Sequence, residues 1–186
     1  MIGDAFPAVL AGVQRGDERS FDQLYRDSNP ALVRYLRILD PRTADDVAAE
    51  TWISVVRSIK RFAGDEPGWR SWLFTIARRR SVEETRRVMR RVPTVDLPEG
   101  HPDADGPPVR DTAEDALQNL DTRAALAAVA QLPRLQAEVV VLRVVAGLDV
   151  ARVAEVVGRS PGAVRVAAHR GVQNLAKILA ERGVTQ

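Results

Sequence analysis

Apolar residues recur every three or four positions along most of this sequence, a spacing that predicts an all-helical fold without strands. Near the N-terminus the pattern predicts two or three helices, over residues 5–14, 17–27 and 30–39. The turn residues Gly16-Asp17 and Ser28-Asn29-Pro30 supply the breaks between them. A longer helix is predicted next, from Thr43 to about Lys60, with Thr43 as its N-cap and acids in its first turn.

The next helix combines an apolar stripe with the densest positive charge in the chain. After Pro67-Gly68, its apolar residues at helical spacing are Trp69, Trp72, Leu73, Ile76 and Ala77. Residues 70–91 hold eight arginines against two glutamates. A basic surface with aromatic side chains is typical of nucleic-acid binding. An amphipathic helix with a solvated basic face explains the same pattern, and on either interpretation Trp72, Leu73 and Ile76 are expected to face the core.

Residues 92–112 differ in kind, because five prolines and several acids leave little apolar surface. They are predicted to form a flexible linker between domains at 1–91 and 113–186. The second domain contains helices predicted at 113–132, 134–146, 149–157 and 161–182. The last two are joined by Gly158-Arg159 and capped by Ser160-Pro161, which indicates a helix-turn-helix. A plain helical hairpin is the alternative.

Composition excludes several classes of function. The chain of 186 residues has no cysteine, so disulfides, thiol catalysis and cysteine-bound zinc are absent. Its two histidines, His101 and His169, have no evident catalytic or metal-binding partners in the sequence. No phosphate-binding glycine loop, signal peptide or long apolar run occurs. We therefore expect a cytoplasmic binding protein without cofactor or metal, and not an enzyme.

Six segments together resemble a known family. They are Phe21–Tyr25, Ala44–Trp52, Arg61–Gly64, Trp69–Arg78, Leu132–Val139 and Ala163–Arg170. In order and spacing they are similar to bacterial RNA polymerase sigma factors of the extracytoplasmic-function (ECF) group of the sigma-70 family. The resemblance implies a protein that binds core RNA polymerase, recognises promoter DNA at two elements and helps to melt the downstream one. It also implies an anti-sigma protein as partner, and a linker that threads through the polymerase cleft.

The resemblance assigns candidate contacts residue by residue. For core polymerase they are Asp45, Asp46, Ala49, Glu50 and Trp52. For the minus-ten element they are Lys60, Arg61, Phe62, Trp69, Arg70, Arg78, Arg79 and Arg80. For the minus-thirty-five element they are Ser160, Gly162, Ala163, Arg165, Val166, His169 and Arg170.

Three features of the sequence qualify these assignments. Ala49 stands where the family commonly has glutamine. The recognition helix is less basic than is usual and contains Gly171, which lowers helix propensity by about 1 kcal/mol relative to alanine. Consecutive residues are about 100° apart on a helix, so Arg78, Arg79 and Arg80 cannot all face one DNA strand. At least one of these three arginines is expected to be structural.

Two other functions fit part of the pattern. A conventional helix-turn-helix regulator would bind duplex DNA as a dimer without polymerase. A helical adaptor that has lost DNA binding would need neither Arg165 nor Arg170.

Overall fold

The computed structural model describes residues 1–91 and 124–181, and every regular element in these two ranges is helical. Four helices form the N-terminal domain: α1 (Phe6–Arg15), α2 (Glu18–Leu39), α3 (Ala44–Ser58) and α4 (Glu66–Arg91). The C-terminal domain begins with a helical segment at 124–129 and continues with α5 (Arg134–Val144), α6 (Val150–Val157) and α7 (Pro161–Glu181). The predicted linker, the start of the helix predicted from 113, and the chain end after 181 lie outside the described residues.

Helix α2 runs through the predicted break at Ser28-Asn29-Pro30, so this break is absent and the lower of the two predicted helix numbers is correct. A proline inside a helix removes one backbone hydrogen bond and usually costs about 3 kcal/mol. Here the polar residues before it serve tertiary contacts. Ser28 Oγ accepts a hydrogen bond from the indole of Trp69 at 3.1 Å, and Asn29 Oδ1 accepts one from Trp52 at 2.9 Å. Packing of the two indoles against α2 thus favours continuation of the helix.

The helix ends follow local rules in most places. Gly16 ends α1 with a left-handed φ of 89°, and the Asp17 carboxylate caps α2 by accepting from the Ser20 backbone N–H at 2.9 Å. Thr43 precedes α3 as predicted, but its side chain makes no capping hydrogen bond. A short 3₁₀ turn, Ile59–Arg61, closes α3 and leads into the loop before α4.

The C-terminal domain contains the predicted helix-turn-helix. Asp149 caps α6 by accepting from the Arg152 N–H at 2.8 Å, and Gly158 ends it with a φ of 65°. Ser160 Oγ then accepts from the Ala163 N–H at 3.2 Å at the start of α7. The turn from Gly158 to Ala163 is therefore defined by one glycine in the left-handed conformation and one side-chain N-cap.

Gly171 allows α7 to lie close to α5. A Cβ added at this buried glycine would come within 2.8 Å of Val140 Cγ2 and 3.4 Å of both Cβ and the carbonyl oxygen of Gln136. The close packing of α7 on α5 therefore offsets the low helix propensity of glycine at this position. Next to this contact, Asn174 donates a hydrogen bond to the Gln136 side chain at 2.9 Å.

The two domains are packed against each other. Helix α4 lies along α6, and α2 contacts α5. The buried apolar residues of both domains form one continuous cluster, which includes Phe74 of α4 and Leu142 of α5. None of the helices in ranges 1–91 and 124–181 is long and apolar enough to span a membrane.

We predict that Gly171→Ala lowers the stability of the protein by about 1 kcal/mol. Overpacking of a tight contact typically costs about 1–3 kcal/mol, which exceeds the gain of up to about 1 kcal/mol in helix propensity. Thermal unfolding followed by circular dichroism measures the change. Gly162→Ala is the matched control on the same helix, because its added Cβ meets nothing closer than 4.0 Å. An alanine at 171 that is tolerated as well as one at 162 would contradict the packing argument.

Candidate nucleic-acid interface

An open cavity of about 390 Å³ lies between α3 and α4, beside the loop that joins them. Its walls are Ser54, Ser58, Arg61, Phe62, Trp72, Ile76, Arg79, Arg80 and Glu83. The rings of Phe62 and Trp72 are 5.2 Å apart at an interplanar angle of 36°. The cavity therefore offers aromatic faces, hydroxyl groups and guanidinium groups, which are the groups that hold unpaired bases and their phosphates.

The loop that carries Phe62 is held in place by hydrogen bonds from α1. The Gln14 side chain of α1 donates to the carbonyl oxygens of Ile59 at 3.0 Å and Phe62 at 2.7 Å. Gly64 lets the Phe62 ring fold back over the loop, since a Cβ there would lie 3.1 Å from the ring. The aromatic wall is thus positioned before any ligand arrives. Lys60 and Arg61, two of the predicted contacts, are exposed on the adjoining 3₁₀ turn.

Trp69 is not on the surface, so its predicted direct contact with DNA is not available in this structure. Its side chain is fully buried, and its ring contacts those of Phe62, Trp72 and Trp52 at 5.9, 5.6 and 6.3 Å. The assignment of the two sides of the helix was partly reversed. Leu73 is buried as expected, whereas Trp72 and Ile76 are partly exposed and line the cavity.

The signal that identifies the inner side of α4 is Phe74, which the predicted stripe omitted. Phe74 is 2% exposed and Ala77 is fully buried. With Phe74 included, the apolar stripe of α4 is centred on residues 69, 73 and 77. Trp72 and Ile76 then lie at its edge, where they border the cavity.

Arg78, Arg79 and Arg80 do not share one surface: Arg79 and Arg80 both pair with Glu83 at the cavity, whereas Arg78 turns to the C-terminal domain. The Arg80 guanidinium donates to Ser54 Oγ at 2.8 Å and to Glu83 at 3.1 Å, which holds it at the cavity wall. Arg79 is 81% exposed and donates to Glu83 at 3.1 Å. Arg78 Nε instead donates to Glu138 of the C-terminal domain at 2.6 Å. Arg78 is thus the structural member of the three in this conformation.

Arg70, which is predicted to contact the minus-ten element, makes internal contacts in this structure. Its side chain is 14% exposed and donates to Asp27 and Glu66, each at 3.2 Å. It further donates to the carbonyl oxygen of Ala146 at 3.3 Å. Arg70 therefore joins α2, α4 and the C-terminal domain and presents little charge to solvent.

Glu138 is the buried acceptor at the domain contact. It is 3% exposed and accepts the Tyr35 hydroxyl at 2.8 Å as well as Arg78 Nε. Burial of the fully enclosed Tyr35, followed by the negative charge of Glu138, raises the pKa of Tyr35 well above its ordinary value of 10.0. The phenol therefore stays protonated and remains a donor. No feature of the sequence pairs these residues, which lie 103 positions apart.

An exposed acidic face lies on α3. The side chains of Asp45, Asp46, Ala49 and Glu50 all point to solvent, as expected for a docking surface. Trp52 differs from the prediction, because it is only 7% exposed and its indole donates to Asn29. It forms the floor of a shallow groove of about 260 Å³ between α2 and α3, which Tyr25 and Val33 also line.

Helix α7 separates its contacts by face. Six of the predicted contacts are exposed, namely Ser160, Gly162, Arg165, Val166, His169 and Arg170, and Ala163 is partly exposed. Val164, Ala167 and Gly171 face inward, while Ala168 and Leu175 are half-buried at the edge of the core. The exposed residues leave one complete side of the helix open to a duplex groove.

Two family models match this chain, one in its N-terminal part and one in its C-terminal part. The family model for Sigma-70 region 2 matches residues 24–91, and the one for Sigma-70, region 4 matches residues 122–175. No group of three or more potential metal ligands occurs among the residues that the structure describes.

Two similar proteins are ECF RNA polymerase sigma factors of Streptomyces. ShbA of Streptomyces griseus is 32% identical over 187 residues, covering 94% of this chain and 95% of ShbA. BldN of Streptomyces coelicolor is 32% identical over 176 residues, covering 92% of this chain but only 64% of BldN. The chain thus spans nearly all of one relative and just under two thirds of the other.

Two solved structures share the fold. CnrH in complex with the cytosolic domain of CnrY has a TM-score of 0.63 and 23% identity, covering 96% of this chain and 99% of that chain. RpoE of Bartonella quintana, in complex with the anti-sigma factor NepR, has a TM-score of 0.64 and 22% identity, covering 87% and 98%. The all-helical fold predicted from the sequence is confirmed.

We predict that Tyr35 makes the protein sensitive to alkali. Below about pH 10 tyrosine is protonated in both the folded and the unfolded state, so its raised pKa leaves stability unchanged. Above about pH 10 the unfolded state releases a proton that the folded state keeps, and the stability falls by about 1.4 kcal/mol per pH unit. Denaturant unfolding between pH 9 and 11 should show this slope, and Tyr35→Phe should reduce it.

The chain supplies its own control, because it contains two tyrosines. Tyr25→Phe retains Tyr35 and should retain the slope. An equal slope in wild type and Tyr35→Phe would show that Tyr35 ionises in the folded protein and would contradict the prediction.

Proposed function

This chain belongs to the ECF group of sigma-70 RNA polymerase sigma factors, and we propose from this membership which of its surfaces perform each step of promoter recognition. Residues 1–91 bind core polymerase and the minus-ten element, and residues 113–186 bind the minus-thirty-five element. The protein directs polymerase to its promoters.

The cavity between α3 and α4 carries the proposal for promoter melting. Its aromatic wall of Phe62 and Trp72 is positioned on the buried Trp69, and it opens beside the exposed Arg61 and Arg79. A base that leaves the duplex can stack on this wall while the arginines hold the adjoining phosphates. Stacking on aromatic side chains contributes about 1–3 kcal/mol per base. This is comparable to the few kcal/mol that unpairing and unstacking one base requires.

Ser54 and Arg80 add directed polar groups to the same cavity. Ser54 Oγ donates its hydrogen to the Glu50 carbonyl oxygen at 2.8 Å and accepts from Arg80 at 2.8 and 3.1 Å. The serine thus fixes Arg80 at the cavity wall, and the Arg80 guanidinium is the polar group that we propose for ligand contact. A captured base could then be held by its edge as well as by its face. Trp72 replaces Trp69 as the proposed base-stacking residue, whereas Trp69 supports the wall from inside.

The acidic face of α3 is the proposed site for core polymerase. Its carboxylates at Asp45, Asp46 and Glu50 are exposed on one helix, next to the Trp52 groove. Acidic side chains steer and orient a basic partner surface, chiefly through the association rate and the register of the complex. We propose that Ala49 contributes only contact area where the family commonly places glutamine.

The exposed side of α7 is the proposed reader of duplex DNA. A helix that enters the major groove uses its N-terminal residues for base edges and nearby basic groups for phosphates. Arg165 is exposed in the second turn, and His169 and Arg170 follow one turn later. With few basic residues on this face, we expect the minus-thirty-five contact to add modest affinity.

An anti-sigma partner is a further prediction from the family.

Transcription with purified components tests the proposal. We expect the protein to co-migrate with core RNA polymerase and to give promoter-dependent run-off transcripts. Glu50→Lys should weaken core association at least about tenfold by reversing an exposed charge at the docking face. Asp22→Lys is the matched control, since Asp22 is exposed on α2 and pairs only locally with Arg26. Free protein that binds a palindromic duplex tightly, without any association with core, would refute the sigma-factor assignment of this chain.

We predict that Trp72→Ala lowers promoter opening about tenfold or more while core association is unchanged. The loss of one stacking face removes about 1–3 kcal/mol from base capture. Permanganate reactivity of promoter thymines measures opening in the holoenzyme. Trp72→Phe keeps an aromatic face and should restore most of the opening. Equal opening by the alanine and phenylalanine variants would show that the cavity does not stack a base.

A further inference from the structure

The contact between the two domains contains a buried charge whose hydrogen-bond partners all belong to the opposite domain. We infer that Glu138 of α5, held by Tyr35 of α2 and Arg78 of α4, is a latch that keeps the free protein closed and unable to engage both promoter elements. This inference rests on the proposed function for its biological consequence. The closed state itself is a property of the free chain.

The geometry of Glu138 favours a specific latch over a general hydrophobic contact. One carboxylate oxygen accepts both the Tyr35 hydroxyl at 2.8 Å and Arg78 Nε at 2.6 Å. Both donors come from the N-terminal domain, while Glu138 itself is carried by the C-terminal domain. A buried carboxylate is stable only when its hydrogen bonds are made, so the domains cannot slide relative to each other without losing these bonds. The contact therefore favours one arrangement.

Two further contacts join the domains near the start of α4. Arg70 of α4 donates to the Ala146 carbonyl at 3.3 Å, near the end of α5. Arg152 of α6 donates to the Asp65 carboxylate at 3.2 Å. Asp65 belongs to the loop that carries Phe62, so the C-terminal domain reaches the edge of the proposed base-capture site. An open cavity of about 400 Å³ separates Val156 of α6 from the arginines of α4.

The closed arrangement is too small for a two-element promoter. The names of the elements place them about 25 base pairs apart, which is roughly 85 Å of duplex at about 3.4 Å per base pair. A compact chain of about 150 residues has a radius of gyration of roughly 15 Å and is thus roughly 40 Å across. The cavity and α7 cannot reach both elements while the domains touch. Opening must precede or accompany promoter binding, and it also releases Arg78 toward DNA.

Distance measurements on the free protein test the latch. The cysteine-free sequence allows spin labels to be placed at Arg19→Cys on α2 and Ala176→Cys on α7, both exposed positions. Pulsed electron–electron double resonance should give one narrow distance distribution for the doubly labelled, otherwise wild-type chain. Glu138→Gln should raise the ratio of open to closed protein at least about tenfold, since a charged hydrogen bond is lost. Tyr35→Phe, which removes a donor on the N-terminal domain, should raise the ratio of open to closed protein at least about fivefold.

Asp22→Asn is the matched control, because it removes one negative charge from an exposed site on α2. It should leave the distance distribution unchanged. Circular dichroism confirms that each variant is folded, and if Glu138→Gln is not, Tyr35→Phe decides. A broad distribution in the wild-type free chain, or distributions that neither variant changes, would overturn the latch.

Run-off transcription with the same samples separates this inference from the proposed function. Wild-type protein that is open when free and yet active with core polymerase refutes the latch alone. Protein that is closed when free, opens in the variants and never supports transcription refutes the proposed function and leaves the latch standing. Labelled holoenzyme on a promoter should show the long distance for wild type and variants alike.

Discussion

The buried indole of Trp69 organises the N-terminal domain. Its N–H is bonded to Ser28 on α2, and its ring lies against Trp52 of α3 and against Phe62 and Trp72 at the cavity. One side chain thus connects three helices and the loop that precedes its own helix. The exposed aromatic surface is rigid because the residue beneath it is fully enclosed. A surface that must hold an extruded base benefits from such support, since less conformational entropy is lost on binding.

The positions of the helices and the protein family were predicted correctly more often than the directions of individual side chains. Periodicity and capping residues located α3, α6 and α7 closely, because these signals act within a few residues. They placed a break at Pro30 that is absent, because tertiary hydrogen bonds to Ser28 and Asn29 override the local signal. Likewise, two tryptophans three residues apart lie on nearly the same side of a helix. Periodicity alone could not tell the buried Trp69 from the cavity-lining Trp72.

Charge was the least predictable property of the site. Eight arginines between residues 70 and 91 suggested one basic surface. In the structure Arg70 and Arg78 lie in internal ion pairs, whereas Arg79 is largely exposed. Their partners, such as Glu138, are distant in sequence and become neighbours only through domain packing. A count of charges therefore overestimates the positive surface offered to DNA in the closed protein.

The division of α7 into a packed and an open side has an evolutionary consequence. Val164, Ala167 and Gly171 tie the helix to its domain, and the tight approach at Gly171 leaves that side little room for change. The residues at 165, 166, 169 and 170 make few demands on the fold. Gene duplicates could therefore acquire new promoter preferences by drift on the open side alone. Regulatory networks built from many such factors could then diverge without any one of them losing its structure.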